Sequence, residues 1–162
     1  MSTDDGSAAD DASPTSIRRG SESSLQNLGR DRIDVVQVHD PDAATPIEDT
    51  WEALHAAVDE GLIGGAGLSN HPIELMERAL AVGPIAVVQH QSSALSRRAI
   101  RSGIVDWCRE RGIPFLSWAP LASGFLVDDF DLAGLHPDDL RHRLPWAGDR
   151  VDVTRRVRAT VQ

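Results

Sequence analysis

The sequence predicts an α/β fold built from parallel strands, and two observations support that prediction. First, a helical stretch that ends at a glycine is followed by a short β-branched or apolar run, and this unit occurs four times. Second, these runs are almost continuously apolar, which is typical of parallel strands covered by helices on both faces. Right-handed crossovers would then connect neighbouring strands. The predicted strands span residues 33–38, 63–68, 85–89 and 113–118.

Each intervening helix has a start signal. The first helix is expected to begin at Ser13-Pro14, with Ile17, Leu25 and Leu28 facing inward. The second begins at Thr45-Pro46-Ile47-Glu48, a pattern typical of a capping box with proline at the first helical position. Pro72 precedes the third helix, and residues 104–108 mark a fourth. Glycines at 29, 61, 83 and 112 follow the helices, where a positive φ is expected.

The length of the repeated region decides how much of a barrel this chain can form. Four βα units occupy about a hundred residues, whereas a closed (β/α)₈ barrel takes about 250. The sequence therefore predicts a partial (β/α)₈ barrel with about four of the eight units. We expect a disordered acidic leader at 1–13, the half-barrel at 14–127, and a loop and terminal helix at 128–162, the helix lying near 151–161.

Composition excludes several functional classes. A net charge of −9 argues against a nucleic-acid surface, which needs a basic patch. No apolar run reaches the ~18 residues of a membrane span, and the acidic N-terminus does not resemble a signal peptide. Cys108 is the only cysteine, so we expect a structural thiol and a cytoplasmic location.

Polar side chains follow the predicted strands, at the end where parallel barrels place their working residues. These positions are His39, Asp40, Ser69, Asn70, His71, Gln89, His90 and Trp118. Their recurrence at corresponding places on successive strands predicts a functional site at the carboxyl edge of the sheet.

Several motifs in this order resemble one known family. They include Gln37-Val38-His39-Asp40, Gly67-Leu68-Ser69-Asn70 and Trp118-Ala119-Pro120-Leu121, within a stretch from residue 24 to 126. This stretch resembles an aldo-keto reductase. The resemblance implies strands four to seven of that family's barrel, and it implies NADPH-dependent reduction of an aldehyde or ketone.

The resemblance also implies roles for individual residues. His39 matches the family's catalytic histidine. Six residues match cofactor-binding positions: Ser69, Asn70, Gln89, Trp118, Leu121 and Ser123. The first three would hold the nicotinamide carboxamide, which needs both donors and acceptors. Trp118 would stack on the nicotinamide ring, and the last two lie where the family's backbone approaches the pyrophosphate.

The sequence departs from the family in the groups that supply a proton. It contains no tyrosine, and all sixteen basic residues are arginine, so it contains no lysine. In the family a tyrosine tuned by a lysine donates the proton, from strands upstream of the matched region. We therefore expect a truncated form that is inactive alone and binds NADPH weakly or not at all. We also expect a homo-oligomer, or a missing N-terminal half, because half a barrel leaves two strand edges unpaired.

Two alternatives from other classes remain open. The chain could be a non-catalytic module for nicotinamide binding or assembly. It could also be a metal-dependent hydrolase in which His39, Asp40, His71 and His90 hold zinc. Adjacent strand residues point to opposite faces, so His71 and His90 are expected to point away from Asn70 and Gln89. On that ground we expect no metal.

Overall fold

The computed structural model describes residues 11–127 and 130–144, in which four short strands alternate with helices. The elements in chain order are α1 (Pro14–Leu28), β1 (Val36–Val38), α2 (Ile47–Asp59), β2 (Ala66–Ser69), α3 (Ile73–Val82), β3 (Val87–Gln91), α4 (Arg98–Arg101), α5 (Ile104–Arg111) and β4 (Phe115–Trp118). Two 3₁₀ turns follow, at Ala122–Gly124 and Leu140–Arg143. The predicted alternation of strands and helices is confirmed.

The four strands form one sheet in chain order, β1-β2-β3-β4. The first three are parallel, and their register aligns Val38 with Leu68 and Leu68 with Val88. The amide of Val88 donates to the Pro114 carbonyl at 3.0 Å, which brings β4 beside β3. Strands β1, β2 and β4 are shorter than the sequence predicts, whereas β3 has the predicted length but begins two residues later. Ile33 and Ile63 are joined only by an isolated parallel bridge. Each strand therefore lies beside the next one in the chain, as successive βα units require.

The chain divides into two compact units, and the first comprises residues up to 90 together with 104–116. Its core lies between the sheet and the helices. Trp51 and Leu54 of α2, Met76 of α3 and Leu68 of β2 are all fully buried there. Burial of a side chain of this kind stabilises the fold by about 1.5–3 kcal/mol, so this cluster supplies much of the stability of the unit.

The second unit comprises residues 91–103 and those from 117 onward. Its apolar cluster is small and centres on Ala122 and Phe125, with Phe130 among the partly buried residues around it. The rings of Phe125 and Phe130 are 4.5 Å apart.

Helix α1 begins as predicted. Ser13 is its N-cap, with the hydroxyl accepting from the Ser16 amide at 3.3 Å, and Leu25 is buried. The inward assignment of Leu28 is wrong, because this side chain is 61% exposed at the last position of the helix, directly before the turn at Gly29. No helix among the described residues is long and apolar enough to cross a membrane.

The capping box predicted for α2 is wrong. Pro46 is the N-cap and makes no side-chain cap bond. The Thr45 hydroxyl instead donates to Asp42 Oδ2 at 2.7 Å, and the Glu48 carboxylate binds Arg78. Both side chains of the predicted box are therefore engaged by other partners.

The glycine prediction is confirmed at three positions and wrong at one. Gly29, Gly61 and Gly112 have φ of 60°, 77° and 66°, the left-handed conformation that favours glycine. Gly83 is extended, with φ of −171°. A Cβ at that position would lie 2.5 Å from His55 Nε2. Gly83 is the C-cap of α3, but close packing against the His55 ring, rather than a positive φ, explains why glycine occupies this position.

The folded unit includes residues that the sequence assigns to the leader. Ala12 is 6% exposed. Its carbonyl accepts from the Thr50 hydroxyl at 2.8 Å, and its amide donates to Asp42 Oδ2 at 3.1 Å. The rest of the predicted leader, residues 1–10, and the predicted terminal helix near 151–161 lie outside the described residues.

Candidate functional site

The candidate residues of the first unit follow the alternation of the strands. Val38, Leu68 and Val88 belong to the core between sheet and helices. Ser69 and Gln89 follow Leu68 and Val88 and are aligned with each other across β2 and β3. Because successive side chains of a strand point to opposite faces, Ser69 and Gln89 lie on the side of the sheet opposite the helices.

Asn70 joins the carboxyl ends of three strands. Its backbone amide donates to the Gln89 carbonyl at 2.9 Å, and its side-chain Nδ2 donates to the His39 carbonyl at 3.1 Å. Its φ is 59°, a left-handed conformation that asparagine tolerates better than most residues. The structure thus brings His39, Asn70 and Gln89 together at one edge of the sheet.

His39 directly follows β1, and its side chain is 83% exposed. Its Nδ1 is 2.8 Å from Asp40 Oδ2. A ring nitrogen beside a carboxylate acts as the donor, so Nε2 is the nitrogen left to face a ligand in the neutral ring. Asp40, one of the polar residues that the sequence predicts at the carboxyl edge of the sheet, therefore orients the His39 ring.

Ser69 is 2% exposed, and its carbonyl is 2.6 Å from Nδ1 of His71. Burial lowers the pKa of His71, so its imidazole is neutral at pH 7. The same cause lowers the pKa of His90. His71 lines a cavity with Thr50 of α2 and Leu75 of α3, on the helix side of the sheet. In the described ranges 11–127 and 130–144, no three histidine, cysteine, aspartate or glutamate residues stand close enough to hold a metal ion.

Gly67 is a residue of the site to which the sequence reading gave no role. It lies two positions before Ser69 and is aligned with Gln37 and Val87. A Cβ on Gly67 would lie 2.7 Å from Val87 Cγ1 and 2.8 Å from Gln37 Cγ. A glycine inside a strand often marks such a close approach, and this was the available sequence signal.

Trp118, Leu121 and Ser123 belong to the second unit. The indole of Trp118 is 38% exposed and the side chain of Leu121 is 55% exposed. The segment that carries them contains three non-glycine residues with positive φ: Ala119, Ala122 and Ser123. Such strained backbone tends to occur at functional sites, and this observation is independent of the motif.

Each of the two units carries candidate groups of its own. In the first unit, His39 presents a ring nitrogen and Gln89 presents a half-buried amide, while the Ser69 hydroxyl is buried on the adjacent strand. In the second unit, Trp118 presents an aromatic face. Burial raises the pKa of the Cys108 thiol, which is 1% exposed and lies in the core, so it takes no part in this chemistry.

Comparison with known proteins gives one family. The sequence profile described as the Aldo/keto reductase family matches residues 3–158. A probable pyridoxal reductase 2 of Schizosaccharomyces pombe is 38% identical over 126 residues, which are 77% of this chain and 38% of that protein. An aldo-keto reductase of the same organism, named with NADP(+), is 36% identical over 135 residues, or 82% of this chain and 40% of that one.

The solved structures agree. A glycerol dehydrogenase from Gluconobacter oxydans superimposes with a TM-score of 0.80 at 29% identity, covering 88% of this chain and 44% of that chain. The holo form of an aldo-keto reductase from Bacillus halodurans gives a TM-score of 0.67 at 28% identity, covering 77% and 43%. The chain thus spans less than half the length of these relatives, and its fold is a partial (β/α)₈ barrel.

Proposed function

Since this chain belongs to the aldo/keto reductase family, we propose that it carries the nicotinamide-binding half of an NADPH-dependent carbonyl reductase and does not reduce carbonyl compounds by itself. The observation that supports this most is the pair of hydrogen bonds from Asn70, which hold the His39 and Gln89 backbones at one edge of the sheet.

The groups at that edge fit a nicotinamide. A carboxamide offers two N–H donors and one carbonyl acceptor. The hydroxyl of Ser69 and the side-chain amide of Gln89 can meet both kinds of group from adjacent strands. The absence of a Cβ at Gly67 keeps the sheet closely packed below them. Trp118, which lies in the second unit, matches the family position whose aromatic face stacks on the nicotinamide ring.

The cofactor, when bound, supplies a hydride to the substrate carbon. His39 would hold the carbonyl oxygen by donating from Nε2, which it can do as the imidazolium while Nδ1 contacts Asp40. Reduction also needs a proton donor at that oxygen. With no tyrosine and only arginine among the basic residues, the sequence offers neither a phenol nor a tunable amine. A missing general acid typically costs ~10² to 10⁴ in rate.

The substrate that we propose is a small carbonyl compound. Two of the relatives are named as a pyridoxal reductase and a glycerol dehydrogenase, which pair small polar aldehydes or ketones with their alcohols.

We further propose a cytoplasmic location, because the one cysteine is buried as a thiol.

The missing groups would come from the remainder of a barrel, because a second copy of this chain also lacks tyrosine and lysine; a second copy could cover only the open strand edges. In the part of the chain that the structure describes, β1 has no strand beside it other than β2, and β4 has none other than β3. The last three residues of β4 are exposed. Such edges favour pairing with further strands, so we propose either a homo-oligomer or completion by an N-terminal half.

The first experiment measures NADPH oxidation by the purified chain with pyridoxal and with glyceraldehyde. The expected rate equals that of His39→Ala and of buffer. Turnover at rates typical of enzymes that disappears in His39→Ala would contradict the proposed inactivity.

The second experiment measures cofactor binding by calorimetry with nicotinamide mononucleotide. Weak binding is expected, and it should be lost in Trp118→Ala but retained in Trp118→Phe, which keeps an aromatic face. If Trp118→Ala binds as well as the unchanged chain, the stacking role is wrong. If no variant binds, including the unchanged chain, the nicotinamide half-site itself is refuted.

The third experiment concerns assembly. Light scattering should report a dimer or larger species, and near-ultraviolet circular dichroism reports whether the aromatic residues are fixed in a packed core. A compact monomer that unfolds cooperatively would contradict the proposal that the open strand edges need a partner.

A further inference from the structure

The turn that ends β2, from Ser69 to His71, has a backbone conformation that needs support. Asn70 at its centre has a φ of 59°, which is unfavourable for a residue that carries a Cβ. Its side-chain and backbone donors reach the carbonyls of His39 and Gln89, at 3.1 and 2.9 Å. Strained backbone of this kind persists only where its surroundings fix it, so the other contacts of the turn matter.

Two imidazole rings bind the same turn through its carbonyl groups. Nδ1 of His71 lies 2.6 Å from the Ser69 carbonyl. Burial lowers the pKa of His90, and a hydrogen bond to the His71 backbone opposes that shift, so the backbone group is an acceptor, the carbonyl. The carbonyls on either side of Asn70 are therefore both bound by histidines.

The tautomer of each ring follows from its other nitrogen. Nε2 of His71 and Nε2 of His90 are buried and have no hydrogen-bond partner among the described residues. Burial lowers the pKa of both rings, so both are neutral at pH 7. A carbonyl oxygen can only accept, so Nδ1 carries the proton in each ring and Nε2 is an acceptor. Each histidine thus gives its one N–H group to the turn.

Packing alone does not explain why histidine occupies these two positions. His71 is 0% exposed, and His90 is half-buried. A buried acceptor without a partner costs free energy, whereas an apolar side chain of similar size fills the space without that cost. What an imidazole adds over leucine or phenylalanine is the N–H group, so the donor is the property that these positions require.

We propose that His71 and His90 are positioning residues of the nicotinamide site, each of which holds one carbonyl of the Ser69–His71 turn through its Nδ1–H group. The turn carries Asn70, whose donors link it to the carboxyl ends of the neighbouring strands. The conformation of the turn therefore sets where the groups of the site lie. Its consequence for binding rests on the proposed function, whereas the hold on the turn can be measured without a ligand.

Hydrogen exchange measures the hold on the turn. The Asn70 amide is protected by its bond to the Gln89 carbonyl, so its exchange rate reports how often the turn opens. In His90→Leu one hydrogen bond to the turn is lost, and the Asn70 amide should exchange about tenfold faster. His90→Asn should restore the slow rate, because its side-chain N–H group lies as many bonds from the backbone as Nδ1 does.

An internal reference separates opening of the turn from a general loss of stability. The amide of Val88 donates to the Pro114 carbonyl in the same sheet, so each Asn70 rate is divided by the Val88 rate of the same variant. His71→Leu and His71→Asn form a second pair that should show the same difference in this ratio.

Binding of nicotinamide mononucleotide tests the consequence for the site. The affinity should fall about threefold to tenfold in His90→Leu, because the binding-competent turn is less populated, and it should recover in His90→Asn. Equal exchange ratios in the two variants would overturn the proposal, since the side chain at position 90 would then serve packing alone. A difference in exchange without one in affinity would refute the link to the nicotinamide site. If the unchanged chain does not bind, the proposed function fails, and the exchange ratios alone decide whether the histidines hold the turn.

Discussion

Replacing Gly67 by alanine tests how closely the sheet is packed beneath the site. The added Cβ would lie 2.7 Å from Val87 Cγ1, 2.8 Å from Gln37 Cγ and 2.9 Å from the Val87 carbonyl oxygen. Real Cβ atoms do not approach this closely, and the oxygen belongs to the backbone of the central strands, so it cannot rotate away.

The magnitude follows from two opposing effects. Overpacking of a well-packed interior typically costs ~1–3 kcal/mol, whereas loss of glycine's flexibility in the unfolded chain returns ~0.5–1 kcal/mol. We expect Gly67→Ala to lower the free energy of unfolding by about 1–2 kcal/mol. The matched control is Gly20→Ala in the exposed interior of α1, where a Cβ meets nothing within 4 Å. That change should raise stability by up to ~1 kcal/mol.

Urea unfolding followed by tryptophan fluorescence provides the assay, since Trp51 and Trp107 are both buried in the first unit. The two variants should differ by about 1–3 kcal/mol in free energy of unfolding, or roughly 1 M urea in midpoint, with similar slopes. If Gly67→Ala is as stable as Gly20→Ala, the close approach at Gly67 does not exist and the packing beneath Ser69 has been misjudged.

Three other predictions follow from single contacts. Trp51→Phe should lower the free energy of unfolding by about 1–3 kcal/mol, because it removes a fully buried indole that donates to the Gly83 carbonyl at 2.9 Å. Unfolding in denaturant measures this loss. Burial holds the pKa of His71 in the folded chain below its ordinary value of 6.5, so the unfolded chain binds the proton better. The free energy of unfolding should therefore fall as the pH drops below about 6.5, and it should fall less steeply in His71→Phe. A pH profile of stability that is the same in that variant would contradict this reasoning. Asn70→Gly keeps the positive φ but removes the side-chain donor to the His39 carbonyl. It should lower the free energy of unfolding by about 1 kcal/mol or more and weaken the binding of nicotinamide mononucleotide. Undiminished affinity in calorimetry would count against the role of Asn70.

The sequence predicted the order and type of the main elements because the signals are local. The apolar runs preceding His39 and Ser69 fix where strands lie, and a glycine after a helix signals a left-handed turn at Gly29 and Gly112. The failures arise where a distant partner decides. Glu48 carries the sequence signal of a capping box, yet its carboxylate is bound by Arg78, 30 residues further along the chain.

For the site, the motifs identified which residues to examine but not how they are arranged. The hydrogen bonds from Asn70 to the His39 and Gln89 backbones depend on strand register, which no local pattern reveals. The acceptor on His71 became visible only from its burial and from the partner of its other nitrogen.

The central proposal is that this half-barrel retains a nicotinamide site at the carboxyl ends of its strands. The most direct measurement is a titration of the ¹⁵N-labelled chain with nicotinamide mononucleotide, followed through the backbone amides. The account predicts the largest shifts at Ser69, Asn70 and Gln89 and at the Trp118 indole. Shifts confined to other residues, or none at concentrations that saturate a weak site, would contradict it.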